Sequence, residues 1–254
     1  MGLPQLMVAP NGARRTKQDH PALPVTVAEI VEVAKRCFEA GADGLHAHVR
    51  DVDQKHILDA GLYRELIGEM KRQVPGMQVQ ITTEAVGVYT PHQQRKLVRE
   101  VRPEAVSIAY KELSADGETD TNCDFYGWAE SEGIAVQHIL YSAEEVRSLL
   151  RDVEAGRIAS KALLLLFVLG RYTQNQQSDV SDLDAFLDAL EEFDSVAEWS
   201  VCAFGHQETQ CLIAAHRRGG KMRVGFENSL HNSDGTVAAD NVERVREICR
   251  LMAK

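Results

Sequence analysis

The chain has 254 residues, 44% of them hydrophobic and 26% charged, with a formal net charge of −10. That length and composition suit one globular α/β barrel and exclude a disordered or fibrous chain. The acidic balance sets the surface against nucleic acid and anionic membranes, so neither is expected as a partner.

In chain order, the start MGLPQLMVAPNGARR lacks the charged-then-apolar pattern of a signal segment. The longest apolar run, residues 162–169, is far short of the roughly 20 residues that span a bilayer. The 5 cysteines never occur as C-x-x-C, and three fall at expected buried positions. A cytoplasmic protein with reduced thiols is expected.

Strand-like runs occupy residues 5–10, 44–49, 79–83, 105–108, 134–140, 162–168, 198–203 and 222–226. Amphipathic stretches separate them, as in Val27, Ile30, Val31, Ala34 and Phe38, or Val242, Val245, Cys249 and Met252. Thr26-x-x-Glu29 and Ser142-x-x-Glu145 predict capping boxes, and Thr90-Pro91 predicts a helix start. Glycines 41, 76, 133 and 156 fall where helices should stop.

Eight strand–helix units predict a single-domain (β/α)₈ TIM barrel over residues 1–254. The open doubly wound sheet is disfavoured because APNGARR is not the glycine-rich phosphate turn. In a barrel, loops after strands carry the chemistry. Arg14, Arg15, Lys17 and Arg171 therefore face it, whereas the basic run from His216 to Lys221 precedes a strand and is a solvated turn.

His46 and His48 alternate on one strand, so both imidazoles project to one face, a natural pair of ligands for zinc or a similar ion. On the last strand, period two places Arg223, Gly225 and Glu227 on the inner face. Strands two and eight are separated only by strand one, so His46, His48 and Glu227 can meet on one ion. The alternative for Glu227 is an ion pair with Arg223.

These pieces carry a resemblance. APNGARRTK with PALPVT, AGADGLHAHVRD, QITTEAVG, FVLG, and Trp199 leading to RVGFEN together resemble the β-keto acid cleavage enzyme family, of the 3-keto-5-aminohexanoate-cleaving type, over about residues 5–250. The resemblance implies a zinc-dependent barrel that condenses a β-keto acid with acetyl-CoA and cleaves the adduct to acetoacetate and a new acyl-CoA. It implies His46, His48 and Glu227 as zinc ligands, Arg223 in a catalytic relay, and Thr82 as a hydroxyl on substrate. It also implies a homo-oligomer, a tetramer, in which Trp128 or Tyr126 sits in an interface or else in the core.

This chain departs from the family at telling positions. Asn228 stands where the family has an aspartate base, and Glu84-Ala85 replaces a Gly-Gly. Residues near Gln137–Ile139 replace a pair of glutamates. Arg14 replaces an acid that suits an ammonium-bearing substrate, and so predicts an anionic or neutral tail.

Several roles stay open at this level. Glu84 is a replacement base, assisted by His138 or His206, or a partner for Arg14 or Arg50. Thr82 and Thr83 are donors to a substrate carboxylate, or simply strand residues. Arg50 and Asp51 orient the histidines or brace the rim. Lys111 greets a carboxylate or CoA phosphate, or is a solvated loop lysine. The competing functions are a metal-dependent hydrolase using His138 or His206 as an extra ligand, and a non-catalytic metal-bearing protein that binds keto acids or CoA esters, supported by Asn228.

Overall fold

A computed structural model describes residues 2–158, 163–193 and 196–253. Among them eight parallel strands close into a barrel in sequence order. The strands are β1 Leu6–Val8, β2 Gly44–Ala47, β3 Gln78–Thr82, β4 Ala105–Ala109, β5 Ala135–Leu140, β6 Leu163–Leu169, β7 Ala197–Ala203 and β8 Lys221–Val224. The helices are α1 Val27–Glu39, α2 Ala60–Gln73, α3 Pro91–Val101, a short α4 Tyr110–Leu113, and α5 Thr119–Ser131. They continue with α6 Ala143–Glu154, α7 Asp182–Glu191, α8 Glu208–Arg217 and α9 Asn241–Met252. Residue 162, the expected start of the sixth strand, lies outside the described residues.

Each strand separates two environments. On β6, Leu163, Leu165, Phe167 and Leu169 join the main core beneath the helices. Leu166 and Val168 join a smaller cluster with Ala109, Ile139, Cys202 and Phe204. Period-two alternation assigns that second cluster to the barrel interior. Tyr126 is buried and stacks near His138, and Trp128 packs against the same core under Arg99.

The helix starts follow local chemistry. Thr26 with Glu29 and Thr90 with Gln93 form reciprocal capping boxes, the latter with Pro91 opening the helix. Ser142 forms only half a box. Its hydroxyl accepts from the Glu145 amide, but the Glu145 carboxylate accepts from Tyr141 N instead, at 2.9 Å.

β1, β2 and β8 are shorter than the sequence predicts. Beyond them the chain is held by cross-loop bonds rather than ladder pairing: Asn11 Nδ2 donates to His48 O at 2.9 Å, and Glu227 N to Ala9 O at 3.1 Å. The basic run before β8 is on the stability face as expected, with Lys221 paired to Glu198 at 2.7 Å and Arg218 to Asp184. Among the described residues no helix is long and apolar enough to cross a membrane.

Candidate active site

At the C-terminal ends of the strands a cavity of about 90 Å³ is lined by residues from around the ring. Its polar wall holds His46 from β2, His48 just beyond it, Thr82 from β3, Arg223 from β8 and Glu227. The Nε2 atoms of His46 and His48 lie 3.2 Å apart. Glu227 Oε2 is 3.5 Å from the first and 3.7 Å from the second.

Period two does not deliver Glu227 to this spot, contrary to expectation. β8 ends at Val224, and Gly225 takes φ +138, where a Cβ would sit 2.5 Å from Ala9 O. Glycine lets the chain bend there, and the bend is pinned from both sides. Gly225 N donates to Glu208 Oε1, Phe226 N to Asn241 Oδ1, and Arg15 to Phe226 O. On the facing loop, Gly12 at φ +59 lies against Glu227, whose Cγ would be 2.5 Å from an added Cβ.

Hydrogen bonds determine the imidazole tautomers. His46 Nδ1 lies 2.8 Å from Gln80 Oε1, an acceptor, so Nδ1 carries the proton. Gln80 is oriented by donating Nε2 to Gln137 Oε1, and Gln137 Nε2 donates to Leu165 O and Ser200 Oγ. His56 Nε2 donates to Glu84 O at 3.0 Å, leaving its Nδ1 to accept from His48 Nδ1 at 3.3 Å. Both facing Nε2 atoms are therefore bare lone pairs.

Burial, then the Arg223 charge, pushes His46 down to about 4. Burial and neighbouring histidines push His48 well below its usual value. Both rings are neutral, the form that ligates metals. Burial opposes ionisation of Glu227, but Arg223, together with Arg171 and Arg15, outweighs it and holds the carboxyl below its usual range. Glu227 Oε2 has no hydrogen-bond partner among the described residues. Among the described residues His46, His48 and Glu227 are the group whose ligand atoms, within 4.8 Å of one another, could hold a metal ion. Three lone-pair atoms with no donor between them repel unless a cation joins them, so the residues fit a divalent ion.

Arg223 is 4% exposed, with Nη2 on Glu227 Oε1 at 3.2 Å and on Cys202 Sγ at 3.3 Å. Its Nε and Nη1 have no hydrogen-bond partner among the described residues. Glu84 lies on the rim with Oε2 3.9 Å from His48 Nδ1 and Oε1 3.7 Å from Arg171 Nη2. Burial and repulsion from Glu227 push its carboxyl up to about 7, against the pull of Arg171 and Arg14.

The other expectations divide. Arg14 is exposed at the cavity mouth, and Arg171 lines the cavity as expected. Thr83 is not brought in: its hydroxyl donates to Ser107 O at 3.2 Å, because adjacent strand residues point to opposite faces. Asn228 does not line the cavity. A turn closed by its amide on Gly225 O buries its side chain, which has no hydrogen-bond partner among the described residues. His138 faces Tyr126 between β5 and α5, and the His206 ring lies tilted against that of His231 at 4.1 Å. Neither histidine joins the metal group, which removes the extra ligand that the hydrolase needs.

Arg50 braces the rim as expected, donating to the carbonyls of Asn11, Gly12, Arg15 and Gln54. It leaves Arg171 as the partner of Glu84. Lys111 is no loose lysine; its Nζ sits 4.2 Å from the Tyr141 ring and 3.9 Å from that of Tyr172. Sequence reasoning missed His56, Gln80 and Asn11. His56 alone had a signal, as a histidine in the loop after the metal strand.

A family model described as beta-keto acid cleavage enzyme matches residues 5–254. The chain belongs to that family. Membership places it among enzymes that cleave β-keto acids. It is 28% identical over 94% of its length to a 3-keto-5-aminohexanoate cleavage enzyme of Fusobacterium nucleatum, covering 88% of that protein. It is 26% identical over 97% of its length to a 3-oxoadipate:acetyl-CoA acetyltransferase of Cupriavidus necator, covering 87% of it. Among solved structures, ObcA in ternary complex with a C4-CoA adduct and oxalate superposes with TM-score 0.68 at 18% identity. That match covers 92% of this chain and 64% of ObcA, so the chain spans under two thirds of that protein. A 3-dehydroquinate dehydratase from Enterococcus faecalis matches with TM-score 0.63 at 11% identity, covering 100% of this chain and 94% of that one. At such identities the likeness is one of fold.

Proposed function

We propose that this protein is a metal-dependent acyltransferase that converts a β-keto acid and acetyl-CoA into acetoacetate and a new acyl-CoA. The observation that carries the proposal is the convergence of His46 Nε2, His48 Nε2 and Glu227 Oε2 in the cavity that also holds a half-buried carboxylate, Glu84, and a buried arginine with free donors, Arg223. Names of the curated relatives supply the acyl donor.

His46, His48 and Glu227 would hold a divalent ion, zinc by donor chemistry, since neutral imidazole and carboxylate suit it. When bound, the ion supplies Lewis-acid stabilisation for negative charge developing on the keto oxygen. Glu84 takes a proton from the carbon between ketone and carboxylate, doing so from the rim opposite Arg171. Arg223 offers its free Nε and Nη1 donors to the charge that develops beside Glu227. Thr82 faces the same space, although its Oγ1 already accepts from Glu84 N at 3.1 Å and keeps its proton to donate. Arg14 stands at the mouth, where the acyl donor enters. Asn228 and Thr83 take no part.

The deprotonated carbon forms a bond to the acetyl carbonyl, and CoA leaves as thiolate. The thiolate then adds to the original ketone carbon, and the older carbon–carbon bond breaks to release acetoacetate after reprotonation. Purified protein with acetyl-CoA and a panel of keto acids should yield acetoacetate, with about one zinc per chain. Glu84→Gln should lose turnover and keep the metal. Metal without acetoacetate from any acid would defeat the proposal in favour of the non-catalytic binding protein.

A further inference from the structure

The cavity has a second wall without counterpart in the metal group. Opposite the histidines it is formed by Ala109 at the end of β4, Ile139 in β5, Val168 in β6 and Phe204 after β7. All four are at most 7% exposed and belong to the interior apolar cluster, against which Tyr141 packs. None of their side chains carries a polar atom.

The charges beside this wall are engaged with protein groups. Arg171 lies over the Phe204 ring at 5.1 Å and reaches Glu84 at 3.7 Å. Glu112 Oε2 accepts from Ala85 N at 2.9 Å and from Gln94 Nε2 at 3.2 Å. Lys111 is held between two tyrosine rings and near Glu145. A charged tail on this wall would lose water, and the nearest cation, Arg171, already answers Glu84. Space beside the wall is limited too, the cavity holding about 90 Å³.

We infer that the keto acid accepted here carries a short, uncharged alkyl tail that lies on the Ala109–Ile139–Val168–Phe204 wall, while its carboxylate and ketone face His46, His48 and Arg223. This rests on the acyl-transfer proposal for the head of the molecule. It sets the chain apart from the two relatives described above, whose names carry an amino or a carboxylate tail. It also turns the charge argument from Arg14 toward the neutral of its two options.

The test compares zinc-loaded protein with acetoacetate, 3-oxopentanoate, 3-oxohexanoate, 3-oxo-3-phenylpropanoate, 3-oxoadipate and 3-oxo-5-aminohexanoate. Equilibrium binding is measured by calorimetry without acetyl-CoA, and turnover separately with it for every acid except acetoacetate, which the reaction returns unchanged. Affinity should rise roughly fourfold per methylene from methyl to propyl. The phenyl acid and both charged-tail acids should bind at least tenfold more weakly than 3-oxohexanoate. Val168→Phe should erase the propyl advantage with metal content unchanged. Ile139→Val, the milder change, should shift the optimum toward a longer tail.

A charged-tail acid that binds as well as 3-oxohexanoate would overturn the inference, as would an unchanged order in both variants. If the alkyl order appears in calorimetry but no acid is turned over, the tail assignment stands and acyl transfer falls. If 3-oxoadipate leads in both assays, acyl transfer stands and the tail assignment falls. No binding by any acid would overturn both.

Discussion

The Nε2 lone pairs of His46 and His48 face one another across 3.2 Å, each turned inward by a hydrogen bond on the far side of its own ring. Burial keeps both rings neutral, so no proton is available to bridge them. A cation is the natural third party. The ligand group should therefore be worth stability as well as chemistry. At metal concentrations about a thousandfold above Kd the gain is ~4 kcal/mol. A chelator should lower the melting temperature of the wild type and leave that of His46→Ala or Glu227→Gln unmoved. The same chelator shift in His46→Ala would refute this ligand set.

His56 and Gln80 each hold one ligand imidazole by its Nδ1. Partners of this kind typically carry 10–100-fold in metal affinity. His56→Phe and Gln80→Leu should each weaken zinc by about that factor, read by competition with a chromogenic chelator. Affinity unchanged in both would mean that packing alone orients the rings.

Gly12 combines a left-handed backbone with contact against Glu227. Gly12→Ala should cost about 1–2 kcal/mol from the backbone alone. It should also displace Glu227 and so lower zinc affinity further. Denaturant unfolding of the metal-free protein and zinc titration of the folded protein separate the two effects. A variant with lowered stability and wild-type zinc binding would show that Glu227 tolerates the added methyl.

His138 reports on the core rather than the site. Burial pushes it down to about 4, from 6.5 in an unfolded chain. Between those values the unfolded chain takes up a proton that the folded chain refuses. Stability therefore falls as pH falls through that window, by about 1.4 kcal/mol per pH unit for this one group. His138→Leu should flatten the slope by about one proton in urea midpoints of the metal-free protein between pH 6.5 and 4.5. Equal slopes would mean that the ring is not kept neutral in the folded state.

Much of the architecture was readable from residue order. Alternation of apolar runs with amphipathic stretches specified eight strand–helix units, because each period reflects which face a side chain must bury. The caps at Thr26 and Thr90 were readable too, since a helix end is a local problem solved within four residues. His46 and His48 were visible as a pair through the two-residue period of a strand. Glu227 was found for an incomplete reason: the alternation invoked for it stops at Val224, and the bend at Gly225 delivers it.

What local pattern could not decide was partnership across the ring. Gln80, Gln137 and Ser200 form a chain through β3, β5 and β7 that sets the His46 tautomer, although Gln80 and Ser200 are far apart in sequence. The same closure pairs Glu84 with Arg171 rather than Arg14 or Arg50, and spends the Thr83 hydroxyl on β4. It also leaves Asn228 outside the cavity. Barrel closure sets these distances, and closure depends on the register of all eight strands at once. Residue spacing therefore names which groups are available for chemistry, whereas only the closed ring determines which of them meet.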